Sequence, residues 1–334
     1  MRPFEYVEAG SIDEAVRLLA AAGGGSMPLA GGTDLLDEIK EGIAAPARLV
    51  SLARIPGLCG IVEGDQGLTI GAMTTIAEIA AHPVIRAQYA ALAMAAGGLA
   101  TPQIRNVGTL GGNLAQRPRC WYYRHPLTVC LKKGGDRCYA LAGDSKYLCV
   151  TGGDRCYIVH PSDTAVALSA LDGRIEIAGP RGIRNVTTAD FFIPPGQDIT
   201  RENILAPGEL VTRVRLASPS LGNTGGEGAT RSLYLKARER EAGDFALVSV
   251  AAVITLEGGA ISRVAVALGG VAPVPYRATR VEGYLVGRPA ASVDPAHAGS
   301  LALPDARPMA GNAYKVTLAR NLVKRAVAHL LGTF

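Results

Sequence analysis

Five of the chain's six cysteines stand between Cys120 and Cys156, a stretch of 37 residues in a chain of 334. The intervals between them are nine, seven, ten and six residues, with Lys132, Lys133, Arg137 and Arg155 among the thiols. Three readings compete. Disulfide frameworks belong to small secreted domains that lack a core, whereas this chain is long, 48% hydrophobic and carries no apolar signal segment after Met1-Arg2-Pro3-Phe4. Structural zinc draws on C-x-x-C or H-x-x-x-H pairs, and neither occurs; His125 and His160 stand alone. Four thiolates on irregular loops are enough to hold a [4Fe–4S] cluster. The cluster leads, and spacing alone leaves the other two open.

Two Gly-rich runs precede the cysteines. Residues 28–36 read Pro28-Leu29-Ala30-Gly31-Gly32-Thr33-Asp34-Leu35-Leu36, and residues 101–114 run from Thr101 through Arg105-Asn106-Val107-Gly108-Thr109-Leu110-Gly111-Gly112-Asn113 to Leu114. Each predicts a turn of small residues whose main-chain N–H groups wrap a pyrophosphate, because glycine permits close approach and positive φ. Neither is a G-x-G-x-x-G fingerprint, so an ordinary Rossmann site is not indicated. A single Gly-Gly pair among 41 glycines is a tight turn; two runs with Thr and Asn beside the glycines point to phosphate.

These runs, together with His160-Pro161-Ser162-Asp163 and the segment from Asp244-Phe245 to Ala251, resemble the FAD-binding subunit of the xanthine dehydrogenase family of molybdenum hydroxylases. They occur in the family's order and span nearly the whole chain. The resemblance implies an α+β chain: a PCMH-type two-subdomain FAD-binding fold, then a C-terminal antiparallel sheet with helices like that of the CO dehydrogenase flavoprotein. Most members join the Gly-Gly-Asn loop directly to the Ser-Asp segment. Here about forty residues intervene, which resembles the flavin subunit of periplasmic-type aldehyde oxidoreductase and the β subunit of 4-hydroxybenzoyl-CoA reductase, where the insertion holds a [4Fe–4S] cluster. Gln116 to Arg124 and Asp154 to Asp163 are more similar to the aldehyde oxidoreductase branch.

Carried over residue by residue, the resemblance implies cluster ligands at Cys120, Cys130, Cys138 and Cys156, with Cys149 either outside the set or replacing one of them. It implies FAD contacts from Pro28, Leu29, Ala30, Gly31, Gly32, Thr33, Asp34 and Leu35, from Thr101, Arg105, Asn106, Gly108, Thr109, Gly111, Gly112 and Asn113, and from Ser162, Asp163 and Lys236. Asp163 is either a polar contact to FAD or an N-cap for residues 164–171. Lys236 is either a cation beside the reduced flavin or a solvated surface lysine. The implied partners are a molybdenum-cofactor catalytic subunit and a [2Fe–2S] subunit, in a heterotrimer or its dimer. Electrons would pass from the [2Fe–2S] clusters through FAD to an external acceptor. No segment of this chain reads as a molybdopterin site.

Other residues read more plainly. Cys59, in Gly57-Leu58-Cys59-Gly60-Ile61-Val62, is expected as a buried small hydrophobe. Trp121, the sole tryptophan, is expected as a buried loop anchor, and His160 as structural. A formal charge of +5 with dispersed basic residues and 5% aromatics argues against a nucleic-acid groove. No apolar run reaches the ~18 residues of a membrane span. The cytoplasm is the default compartment, with co-export to the periplasm by a signal-bearing partner as the alternative. A self-contained flavoenzyme and a metal-stabilised assembly module are the other function classes.

The expected organisation is an N-terminal α/β unit at 1–56, a second unit at 57–219 carrying the insertion at about 115–157, and a C-terminal α/β unit at 228–334, after turn and linker chemistry at 218–229. Capping boxes begin helices at Ser11 and Thr75, the first stopping at Gly23-Gly24-Gly25 and the second reaching about Gly98. Strands are expected at 26–30, 48–52, 158–171 and 173–179, a hairpin at 245–268, and an amphipathic helix from Asn312 to Leu331.

Overall fold

In the computed structural model, which describes residues 1–21, 25–219 and 228–333, three sheets follow one another along the chain. Strands β1 (Glu5–Glu8), β2 (Ser26–Leu29) and β3 (Arg48–Ser51) form a parallel sheet in the order β1-β3-β2. Parallel strands need crossovers, and here the helices Ile12–Ala20 and Leu35–Lys40 supply them. Ser11 caps the first helix by accepting from the Glu14 amide. The Glu14 carboxylate accepts from Gly10 N rather than Ser11 N, so the expected capping box closes one residue early. Of the expected glycine stop, Gly23 and Gly24 lie outside the described residues.

The second sheet is antiparallel: β4 (Ile61–Gly64), β5 (Gly67–Gly71), β6 (Arg174–Gly179), β7 (Gly182–Thr187) and β8 (Leu210–Ala217), ordered β4-β5-β8-β6-β7. The third joins β9 (Thr230–Ala237), β10 (Val248–Glu257), β11 (Ala260–Gly269) and β12 (Tyr276–Arg277) in the order β12-β11-β10-β9. The predicted hairpin is β10-β11, turning at Gly258 and Gly259, both at positive φ. The expected linker falls mostly on residues 220–227, outside the described ones.

The structure corrects two expected elements. Residues 158–171 are not a strand; Asp163–Ala170 is a helix capped by Ser162, whose hydroxyl accepts from the Ala165 amide. All eight helical residues are buried, because the helix lies between the second and third sheets and shares one core with Ile70, Ile175, Ala251 and Val253. A segment buried on every side shows no amphipathic period, so pattern reading cannot tell it from a buried strand. The stretch from Thr75 to Gly98 is three short helices, Ile76–Ala81, Pro83–Gln88 and Ala90–Gly97. Pro83 opens the second, and extended backbone at His82 breaks the run. The Thr75 capping box forms as expected.

β10 is buried on both faces. Ala251 and Val253 face the shared core, while Val250, Ala252 and Ile254 meet Ala319, Leu322, Val323 and Ala326 of the C-terminal helix Tyr314–Leu331. That helix carries a buried cation at its start. Lys315 donates to Tyr147 O at 2.9 Å and Gly270 O at 2.8 Å, and burial holds its amine far below the ordinary lysine range, down to about 7.

A lysine depressed in the folded state makes the unfolded chain bind more protons between pH ~7 and ~10.5, so its contribution to stability rises with pH across that window and is lost as pH falls through about 7. Lys315→Met is expected to flatten the rise in denaturant midpoint between pH 7 and 10 relative to the parent chain. Parallel pH dependences in the two proteins would contradict it.

Candidate functional site

The two Gly-rich runs meet backbone to backbone. A Cβ placed on Gly31 would stand 2.1 Å from Val107 O and 2.9 Å from its carbonyl carbon, so only glycine fits. Gly32 follows at φ +73, a conformation that suits glycine. Positive φ is not used at Gly111 or Gly112, which lie in the short helix Leu110–Ala115. There the requirement is space: added Cβ atoms would come within 3.0 Å of Ala72 Cβ and of Thr109 Oγ1. Thr109 caps this helix by accepting from the Gly112 amide.

Between the runs lies a cavity of about 590 Å3, within the size range of cofactor sites. Of the residues singled out from the sequence, Pro28, Ala30, Gly31, Gly32, Thr33, Asp34, Leu35, Gly108, Thr109, Gly111, Gly112, Asn113, Asp163 and Lys236 line it. Leu29, Thr101, Arg105, Asn106 and Ser162 do not. Thr101 caps the helix Pro102–Val107 by accepting from the Ile104 amide, Arg105 donates to Leu99 O, and Asn106 is exposed. Ser162 donates to Asn113 Oδ1 at 2.6 Å, as does Thr164. That pair of bonds ties the second run to the buried helix.

Asp163 and Lys236 form a buried ion pair at 2.7 Å, each side chain at most 6% exposed. Tyr234 donates to the other Asp163 oxygen at 2.6 Å, and Lys236 also reaches Gly98 O. Lys236 is therefore not a solvated surface lysine, and the N-cap role falls to Ser162. Pairing is what makes these charges tolerable in a dry wall.

Asp34 lines the cavity, but its carboxylate turns toward the cysteine insertion. It accepts from the Arg117 amide at 2.7 Å and from the guanidiniums of Arg119 and Arg124. Burial pushes its carboxyl up, and the two arginines outweigh that, leaving it below the usual carboxylate value. One turn on, Glu38 accepts from Tyr123 at 2.7 Å. Arg117 in turn meets Glu202 at 2.8 Å, and Glu202 pairs with the buried Lys132. Sequence reading had not given these arginines a role; their density in Arg117-Pro118-Arg119 and at Arg124 was the available signal.

The insertion has little regular structure, a four-residue helix Trp121–Arg124 and two 3-10 turns. Cys120, Cys130, Cys138 and Cys156 line one small void, and Cys149 does not. Among the described residues no three His, Cys, Asp or Glu side chains converge as the ligands of a single ion would. Burial raises the Cys120 thiol, against the amides of Tyr123 and Tyr122 directed at it, and raises Cys156 to about 11 and Cys149 to about 12. Two expectations of burial fail. Trp121 is 65% exposed, stacked on Tyr147 with ring centroids 6.2 Å apart. Cys59 is exposed too, because Gly57 and Gly60 turn the chain outward on either side of the buried Leu58. His160 is buried, packs edge-on against Phe192, and is depressed by burial to about 3, as a structural histidine would be.

Residues 2–219 match the family described as the FAD binding domain in molybdopterin dehydrogenase, and residues 233–330 match the CO dehydrogenase flavoprotein C-terminal domain. The chain belongs to the FAD-binding subunits of the molybdenum hydroxylases. It is 38% identical to the aldehyde oxidoreductase FAD-binding subunit PaoB of Escherichia coli, over 99% of this chain and 98% of that one. It is 31% identical to the carbon monoxide dehydrogenase medium chain of Hydrogenophaga pseudoflava, over 97% and 96%. The fold superposes on CO dehydrogenase from Oligotropha carboxidovorans with a TM-score of 0.77, at 26% identity over 99% and 98% of the two chains. The α+β architecture expected from the motifs is therefore the family's own, and this is the flavin subunit of a molybdenum-containing oxidoreductase.

FAD binding should depend on the close approach of the two runs. Gly31→Ala forces Val107 away and is expected to lower retained flavin about tenfold, read from visible absorbance per protein, the change that ~1.4 kcal/mol gives. Gly283→Ala serves as the control for an added methyl without crowding, because, like Gly31, it is not at positive φ, and nothing stands within 4 Å of its added Cβ. Equal flavin retention in the two variants would refute the packing argument.

Proposed function

We propose that the chain is the FAD and [4Fe–4S] subunit of an aldehyde-oxidising molybdenum hydroxylase. It would receive electrons from the [2Fe–2S] clusters of one partner and hand them to an external acceptor, while a second partner with the molybdenum cofactor oxidises the substrate. The observation that carries this reading is the ring of Cys120, Cys130, Cys138 and Cys156 round one void, the first of them seven residues beyond the cavity-lining Asn113. Its support from relatives is the 38% identity to an aldehyde oxidoreductase FAD-binding subunit.

FAD supplies the conversion of one-electron input into two-electron output. The chain's own residues do the rest. The main chain of the first run would hold the pyrophosphate, and Thr33, Thr109 and Asn113 add side-chain polarity to the same wall, while the Gly111 and Gly112 amides of the second run are already spent on Ala72 O and Thr109 Oγ1. Asp163 and Lys236 present a fixed dipole whose members are already paired, so the wall holds its charge without reorganising. The insertion's arginines fix Asp34 and with it the first run. For the cluster, a void bordered by four thiols suits a centre that takes one thiolate at each iron. The Cys120 and Cys156 sulfurs already face backbone amides, from Tyr123 and Ile158, the kind of contact that tunes such centres.

Iron and flavin assays on purified protein are expected to give about one FAD and about four iron per chain. Cys120→Ser, Cys130→Ser, Cys138→Ser and Cys156→Ser should each lose iron, whereas Cys149→Ser should keep it. Iron lost from the Cys149 variant and kept in one of the other four would overturn the ligand assignment; protein that folds, binds FAD and holds no iron would remove the cluster altogether.

A further inference from the structure

Among the described residues, one charged residue borders the void ringed by Cys120, Cys130, Cys138 and Cys156, and it is Lys132. It sits in the 3-10 turn Leu131–Lys133, directly after Cys130. Its side chain is 1% exposed, and its Nζ donates to Ile199 O at 2.7 Å and to the Glu202 carboxylate, which is equally buried. Glu202 comes from another part of the chain, the stretch between β7 and β8. Its second oxygen meets Arg117 at 2.8 Å, and Arg117 donates to Tyr123 Oη at 2.9 Å. Lys132 and Tyr123 border the cysteine void, whereas Arg117 lines the flavin cavity. A cation, an anion and a second cation are thus linked in that order from the void to the cavity.

As an adhesive, a buried pair of this kind gains little over apolar side chains of the same volume, because desolvation cancels most of the attraction. What it supplies is a field. Burial raises the Cys156 thiol to about 11, and the Ile158 amide and the Lys132 ammonium act against that rise. The lysine's charge therefore reaches a sulfur of the proposed ligand set. Arg137 also adjoins one of the thiols, one position before Cys138, but its side chain is 70% exposed, where water and salt screen it.

We propose that Lys132 and Glu202 set the reduction potential of the [4Fe–4S] centre, the buried ammonium making the centre easier to reduce and the carboxylate behind it limiting that effect. The inference rests on the cluster reading given above and assigns two residues outside the ligand set a role in it. Reduction of such a centre adds one electron and neither forms nor breaks a bond. It is therefore favoured by nearby positive charge and opposed by negative charge, more strongly in a buried site than in water. Lys132 borders the void and Glu202 does not, so the cation acts at the shorter range and its sign prevails. Because the two charges oppose each other, removing them singly should move the potential in opposite directions, which no purely structural role would do.

The test is a redox titration of the purified complex with its partner subunits, poised with dithionite and followed by low-temperature electron paramagnetic resonance of the reduced cluster, with iron assayed on the same samples. Lys132→Gln is expected to lower the equilibrium constant for reduction about tenfold, a fall of about 59 mV in a one-electron potential. Glu202→Gln, which leaves Lys132 and Arg117 without their shared anion, should raise the potential. The variant carrying both substitutions should lie between the two, and Arg137→Gln should match the parent. If Lys132→Gln alone does not hold iron, the double variant compared with Glu202→Gln measures the same charge, and the potential must fall when Lys132 is replaced in that background. Shifts of one sign in both single variants, or no shift in either, overturn the proposal. Loss of iron from all three variants overturns it too, since the network is then structural only. A parent complex without iron removes the cluster reading itself, whereas a parent with about four iron per chain whose variants all titrate alike sinks this inference alone.

Discussion

The contact on which the site depends is the approach of Gly31 to the Val107 carbonyl, so close that a single methyl group would stand 2.1 Å from the oxygen. It joins the first sheet's β2 crossover to the loop between two short helices of the second unit. Because the two runs touch through backbone, no side chain can give way between them, and the spacing of the cavity's walls is set by the main chain.

Charge then welds this joint to the cysteine insertion. Asp34 and Glu38, on the turn and helix that follow Gly32, meet Arg117, Arg119, Arg124 and Tyr123. Behind them Arg117 and Lys132 converge on Glu202. Such half-buried or buried pairs contribute little net stability against their desolvation, yet losing one partner leaves an uncompensated charge and costs several kcal/mol. Their effect is to fix position. A segment with almost no helix or strand of its own is thereby held against the flavin cavity at one end. At the other end, Asn312 donates to Leu148 O and Cys149 O, and Lys315 to Tyr147 O.

The buried helix Asp163–Ala170 connects these parts to the third sheet. Its core neighbours come from both the second and third sheets, and its first residue meets Lys236 and Tyr234 of β9. Its cap, Ser162, and Thr164 meet Asn113 at the end of the second Gly-rich run. One short helix thus sets where the flavin cavity and the C-terminal sheet stand relative to one another.

Much of this was legible in the chain. Gly-Gly pairs flanked by Thr and Asn announced two runs that could come together through backbone, because glycine's lack of a side chain is a local property. The β10-β11 hairpin and the C-terminal helix were legible too, since turn residues and a one-sided apolar stripe follow from local geometry. The order of the motifs gave the family. What only the tertiary structure decided was set by neighbours distant in sequence. The helix at 163–170 hid its type by being buried all round. Lys236 read either as a cation beside the flavin or as a solvated lysine until Asp163, 73 positions away, closed on it. Trp121 and Cys59 looked apolar enough to bury, yet a four-residue helix and a glycine-flanked turn left them outside. Residue type and spacing determined what chemistry the chain could hold; burial and pairing, which depend on residues far apart in the chain, decided which of those groups face the cavity and which hold it shut.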